Sequence, residues 1–180
     1  MAQLARGREL RRGAAHGTKA YLEAFFVQNE GLDVQRESQA MKGIIMNAAY
    51  GWQCSTNSQP TLQDLNNSLE SATRRNAKVL HLAGHGRRDC GFVWNVHDAA
   101  TTTMEKEICT LAGIIGKAVG RNGSIKYAVL NACSTKKLGE RLKEAGMSHI
   151  VCWKTPMQDE TARDLCRHFY DDLMQQSKDQ

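Results

Sequence analysis

Residues 77–83 read AKVLHLA and run straight into Gly84, His85 and Gly86, while residues 125–131 read IKYAVLN and run into Ala132 and Cys133. Both are short, nearly continuous apolar runs, the pattern of strands covered on both faces in a parallel sheet. Outward from this pair, segments of period 2 and period 3.6 alternate. Tyr21 to Gln28 reads as a strand, and Met41, Ile44, Ile45 and Ala48 mark one face of a helix. Tyr50, Trp52, Cys54 and Thr56 alternate as in a half-buried strand. Thr61 and Asp64 have the spacing of a capping box opening a helix whose buried face is Leu62, Leu65, Leu69 and Ala72. Phe92 to Val96 suggests a small extra strand.

Further along, Met104, Ile108, Leu111, Ala112, Ile115 and Val119 form a helical stripe with Thr102 or Thr103 as its cap. Glycines end it at 120–123. Leu138, Leu142 and Ala145 line a helix that stops at Gly146, and His149 to Lys154 reads as a strand broken by Pro156. The last helix is expected to bury Ala162, Leu165, Cys166, Phe169 and Leu173. This order predicts an α/β fold with a mostly parallel central sheet and helices on both faces, since parallel neighbours need helical crossovers. Sites in such sheets lie beyond the carboxyl ends of the strands. His85 and Cys133 each follow such an end.

Composition narrows the rest. The 180 residues carry a formal charge of +5, and Arg6, Arg8, Arg11 and Arg12 concentrate much of that excess in the first twelve positions. We read residues 1–19 as a basic, disordered tail and residues 20–176 as a single domain. A basic stripe interleaved with aromatics is missing from the body, so nucleic acid is not the expected partner. No apolar run approaches the roughly 20 residues of a membrane helix, so no membrane is expected either. The six cysteines, Cys54, Cys90, Cys109, Cys133, Cys152 and Cys166, include no C-x-x-C pair and accompany no secretory signal. That favours a reducing cytoplasmic or nuclear home, and neither a metal nor a cofactor is expected.

A thiol with pKa about 8.5 is only a few per cent ionised at neutral pH, so a nucleophilic cysteine needs help. The helix starting near Lys136, with the Lys136 and Lys137 charges, favours the Cys133 anion. His85 is placed to take the thiol proton and return it to a leaving amine. Gly86, lacking a Cβ, lets a substrate approach the backbone, and its N–H with that of Cys133 suits a tetrahedral oxyanion.

The strings HLAGHG and VLNACST, followed by LGERLKEAGMSHIVCWKTPMQDETARDLCRHFYDDL, closely resemble the CHAT domain, a caspase-like, separase-related family of cysteine peptidases. The resemblance covers Leu62 to Leu173 and is most specific at GHG, NAC and the tail from Leu138. It implies a caspase/hemoglobinase-type fold, a His85/Cys133 dyad and an oxyanion hole involving Gly86. It also implies substrate pairing and an S1 pocket around Trp153, Lys154, Thr155 and the following turn, with Asp159 favouring Arg or Lys at P1. Residues 1–60 match the family only loosely, and 87–103 are not diagnostic. The partners implied are a protein or peptide substrate and an activating or regulatory protein.

Bland readings stand beside these. His81 lies in an apparent strand with Leu82 where a zincin helix needs Glu, so it reads as a structural or supporting group. Cys152 and Cys166 read as core residues, Cys90 as an inert loop thiol, and Asp159 as a helix N-cap by default. Trp153 reads as packing near the pocket. The expected function is a cysteine endopeptidase. The alternative is a catalytically silent CHAT-like interaction or adaptor module. A flavodoxin-like nucleotide binder ranks last, because neither G-x-G-x-x-G nor a Walker motif occurs.

Overall fold

A computed structural model describes residues 20–27, 33–47, 52–57, 61–74, 77–86, 92, 104–120 and 124–175. The elements in chain order are β1 (Ala20–Phe26), α1 (Val34–Asn47), β2 (Trp52–Asn57), α2 (Leu62–Arg74), β3 (Ala77–Ala83), α3 (Met104–Gly120), β4 (Tyr127–Asn131), α4 (Lys136–Glu144), β5 (His149–Val151) and α5 (Asp159–Gln175). The sheet has five strands in the order β2-β1-β3-β4-β5, and every pairing is parallel. This is a doubly wound order, reversing direction between β1 and β3. The basic tail 1–19, Cys90, the Thr102 and Thr103 caps and the glycine stop after Gly120 lie outside the described residues.

The period-2 alternation of the strands sorts their side chains onto two cores. Leu80 and Leu82 of β3 join Leu65 and Leu69 of α2, Leu111 and Ile115 of α3, and Leu138 and Leu142 of α4 on one face. Val79 and Ala83 join Leu22 and Phe26 of β1, Met41 and Ile45 of α1, and Cys166 and Tyr170 of α5 on the other. β3 therefore sits centrally, buried from both sides. Tyr127 and His149 face each other across β4 and β5 and stack, with ring centroids 4.7 Å apart.

The helix ends follow local chemistry. The Thr61 N–H donates to Asp64 Oδ2 at 2.8 Å and the Asp64 N–H donates to Thr61 Oγ1 at 3.1 Å, so the capping box at α2 closes reciprocally. The Thr61 hydroxyl and N–H hold the Asp64 carboxyl below its ordinary value. Its contribution to α2 is accordingly present above the unfolded pKa and lost as pH falls through the folded one. At the end of α4, the Gly146 N–H reaches the Lys143 carbonyl and the Met147 N–H reaches the Leu142 carbonyl. This double bond pattern needs a left-handed residue, and Gly146 supplies it at φ +98°.

Of the small extra strand expected over Phe92 to Val96, Phe92 pairs with Gly86 in an isolated antiparallel bridge, and 93–96 lie outside the described residues. Two other expectations differ from the structure. β5 ends at Val151 instead of continuing to Lys154, because the Trp153 N–H and C=O turn away to Thr135 Oγ1 and the Lys136 N–H. On α5 the inward face carries Tyr170, 1% exposed, while Leu165 is 41% exposed; the stripe is rotated toward the polar groups that Tyr170 meets below.

These burials set expected stabilities. Leu80→Ala removes a fully buried side chain from the central strand and should cost about 2–5 kcal/mol in urea unfolding, whereas Leu165→Ala should stay within about 0.5 kcal/mol. Equal effects at the two positions would contradict the described packing.

Candidate active site

β3 and β4 pair in register, with Ala83 opposite Asn131, so the residues after them emerge at one edge of the sheet. The Gly84 N–H still reaches the Asn131 carbonyl at 3.4 Å, carrying the pairing one step past β3. Gly86 then lies so close to Cys133 that a Cβ there would run into the Cys133 backbone. Glycine is required by this approach, apart from any role its N–H plays. His85, Gly86 and Cys133 consequently line one cleft of about 40 Å³, together with Asn131, Trp153 and Met157.

Cys133 opens a tight turn between β4 and α4. Ser134 adopts φ 53°, a left-handed conformation unusual for a residue with a Cβ. Neighbouring bonds hold it there. The Ser134 N–H donates to the Thr155 carbonyl, and the Lys136 N–H to the Trp153 carbonyl. The Thr135 hydroxyl, fully buried, lies 3.3 and 3.1 Å from the Leu130 and Ala132 carbonyls and accepts the Trp153 N–H. The turn and the segment after β5 are thus one stitched unit. The Cys133 thiol is itself engaged by that segment: it donates to the Met157 carbonyl at 3.3 Å and accepts the Met157 N–H at 3.2 Å. Lys136 directs its ammonium to Glu140 one turn along α4, 3.2 Å away.

Behind the cleft runs a buried polar chain. Glu37 Oε1 accepts from Asn131 Nδ2 at 2.7 Å and faces His81 Nε2 at 3.1 Å. His81 Nδ1 faces the Tyr170 hydroxyl at 2.9 Å, and Trp153 Nε1 donates to Asn131 Oδ1 at 3.2 Å. With its proton on Nε2, the imidazole donates to Glu37 and accepts from Tyr170. The chain therefore links α5, β3, α1 and β4 to the Trp153 segment. Cys166 borders it: burial pushes its thiol far above the ordinary value, and the Glu37 charge and hydrogen bond add to the shift. The Cys152 thiol is pushed up as well, chiefly by burial and then by the Glu140 charge, with Lys136 opposing.

The structure brings His85, Gly86, Cys133, Trp153 and Asp159 to one cleft. It leaves Lys154 and Thr155 exposed outside the lining, although the Thr155 carbonyl supports the turn at Cys133. Asp159 is the first residue of α5 and not its N-cap, since the Ala162 N–H bonds the Gln158 carbonyl. His81 has the supporting role expected of it, while Cys166 is buried among polar groups as well as hydrocarbon. Sequence reasoning missed Glu37, Asn131, Met157 and Arg163. Glu37 had left a signal: it stands four residues before Met41, on the face that α1 buries.

A parallel doubly wound sheet that presents a histidine and a cysteine at neighbouring strand ends defines an α/β protein with a thiol-bearing cleft. The chain matches the CHAT domain family over residues 11–180 and belongs to that family, which is associated with caspase-like cysteine peptidases. No curated protein matches it. Among solved structures it is similar to a flavodoxin-like domain from Synechococcus sp., at 13% identity and TM-score 0.49, covering 89% of this chain and 99% of that one. A flavodoxin from the domain Archaea follows at 12% identity and TM-score 0.45, covering 88% and 99%. An NAD(P)H:quinone oxidoreductase from Methanothermobacter marburgensis shows 9% identity and TM-score 0.43, covering 87% and 98%.

The buried chain yields a prediction. Glu37→Ala removes the acceptor shared by Asn131 and His81, and should lower unfolding stability by about 2–4 kcal/mol. Glu37→Gln keeps one acceptor oxygen and should lose less. Wild-type stability in Glu37→Ala would show that the carboxylate does not hold these groups.

Proposed function

We propose that the chain is a cysteine endopeptidase that hydrolyses peptide bonds of a protein substrate through His85 and Cys133. The observation that carries this reading is that both side chains line one cleft at the carboxyl edge of the sheet, in a chain of the CHAT family. The Cys133 sulfur attacks the scissile carbonyl carbon as its proton passes to His85. The resulting oxyanion is met by the N–H groups of Gly86 and Cys133. Collapse expels the amine, which takes the proton from His85 and leaves a thioester on Cys133. Water, deprotonated by His85, attacks the thioester, releasing the acid and restoring the thiol.

Substrate preference follows from the cleft wall. Asp33, Glu37 and Asp159 line it against Arg163, an acidic balance that suits Arg or Lys at P1, with Asp159 exposed at the head of α5. The Cys133 sulfur is occupied by two hydrogen bonds with the Met157 backbone. The Met157 segment that clasps the thiol must therefore move aside, which fits an enzyme opened by its substrate or by an activating protein. The same clasp is the one observation that favours the second reading, a silent adaptor module.

A positional peptide library read by mass spectrometry separates them. Wild type should cut after basic residues, and Cys133→Ala and His85→Ala should each lower turnover by about a thousandfold or more without unfolding. Turnover indifferent to Cys133→Ala would reject the mechanism; no cleavage by wild type, even with candidate activating proteins, would favour the adaptor. Asp159→Asn should weaken Arg and Lys substrates selectively, and equal losses at every P1 residue would remove Asp159 from specificity.

A further inference from the structure

A second cavity is larger than the cleft at His85. It lies between α1 and α5, has a volume of about 210 Å³, and is lined by Arg36, Glu37, Met41, Cys166, Arg167 and Tyr170 among others. On its inner side, Glu37, His81 and Cys166 each offer one ligand atom, all within 4.8 Å of one another. The three residues come from α1, β3 and α5 and are 7%, 0% and 3% exposed. We infer that Glu37, His81 and Cys166 form a binding site for a zinc-like divalent transition-metal ion, reached through the α1/α5 cavity.

Four features of the cluster argue for such an ion. Thiolate, imidazole and carboxylate are zinc's ligand types, and the sulfur disfavours magnesium and calcium, which prefer all-oxygen shells. Ligating histidines orient their second ring nitrogen through an outer partner; Tyr170 stands 2.9 Å from His81 Nδ1 in that role, leaving Nε2 toward Glu37. A divalent ion held by one thiolate, one carboxylate and one neutral imidazole has no net charge, the arrangement a buried centre tolerates best. The cavity, touching both Glu37 and Cys166, gives the ion a route in and water a place as fourth ligand.

The binding step balances simply. The ion takes the place of the Cys166 thiol proton, which leaves to solvent. The imidazole stays neutral by holding its proton on Nδ1, donated to the Tyr170 hydroxyl. Without an ion, the same three groups satisfy one another by hydrogen bonds, so a metal-free polar cluster is the competing account. The site does not depend on peptidase activity, and its test reads binding alone.

The whole chain, stripped of metal by a chelator, is titrated with cobalt(II) as a spectroscopic substitute and then with zinc. Wild type should bind one cobalt per chain with a thiolate-to-cobalt charge-transfer band, which zinc abolishes. Cys166→Ser should lose the band and weaken zinc binding by more than the roughly 10- to 100-fold typical of losing an outer partner, while Cys133→Ser and Cys109→Ser keep both. A missing band in folded wild type, or a band that survives Cys166→Ser, would overturn the site. If Cys166→Ser does not fold, alkylation of wild-type Cys166 in mild denaturant decides: stoichiometric zinc should slow it about tenfold or more, and an unchanged rate overturns the proposal.

Discussion

Two parallel strands that end level with each other are the constraint from which the rest of the site follows. β3 and β4 are paired through Ala83 and Asn131, so their next residues leave the sheet side by side. Gly86 then presses on the Cys133 backbone. Any shift of register by one residue would send the side chains of both strands to opposite faces. It would separate His85 from Cys133 and drive Leu80 and Leu82 into the face now packed by Val79, His81 and Ala83. The two cores that hold β3 from both sides therefore hold the site as well.

The second determinant is electrostatic. A carboxylate, an imidazole, an amide and a phenol are buried in one chain of hydrogen bonds, where a missing partner is costly and a complete set is rigid. Because Glu37 and Tyr170 come from α1 and α5 while Asn131 and Trp153 adjoin the cleft, the helices on one face are tied to the carboxyl edge. The turn at Cys133 rests on this frame. Ser134 is kept in a left-handed conformation only because bonds from Thr155, Thr135 and Trp153 surround it. The Met157 clasp on the Cys133 sulfur is part of the same segment, so a movement that frees the thiol is transmitted to the groups that hold the turn.

Much of the fold was legible in the sequence. The apolar runs of β3 and β4, the stripe of α2 and its capping box all appear at or within a few residues of their expected bounds, because local periodicity and capping chemistry specify them. β5 was overestimated because its apolar residues continue past the point where its backbone turns to serve Thr135 and Lys136. Tyr170 replaced Leu165 on the inner face of α5 because a phenol that can reach His81 is buried at less cost than its polarity suggests, a fact no hydropathy pattern contains. That His85 and Cys133 would share one cleft was readable from their strand ends. Glu37 was legible only as a charge on the face that α1 buries, since the partners it meets lie far away in the chain; the matching clue was a histidine within an otherwise apolar strand, which must be satisfied from somewhere.

The most direct measurement of the central claim is peptide mapping of the adduct formed with a peptidyl electrophile bearing a basic terminal residue, on wild type and on His85→Ala. The account predicts a single adduct at Cys133 whose rate of formation collapses when His85 is removed. Adducts spread over Cys109, Cys152 and Cys133 alike, or labelling of Cys133 that ignores His85, would contradict it.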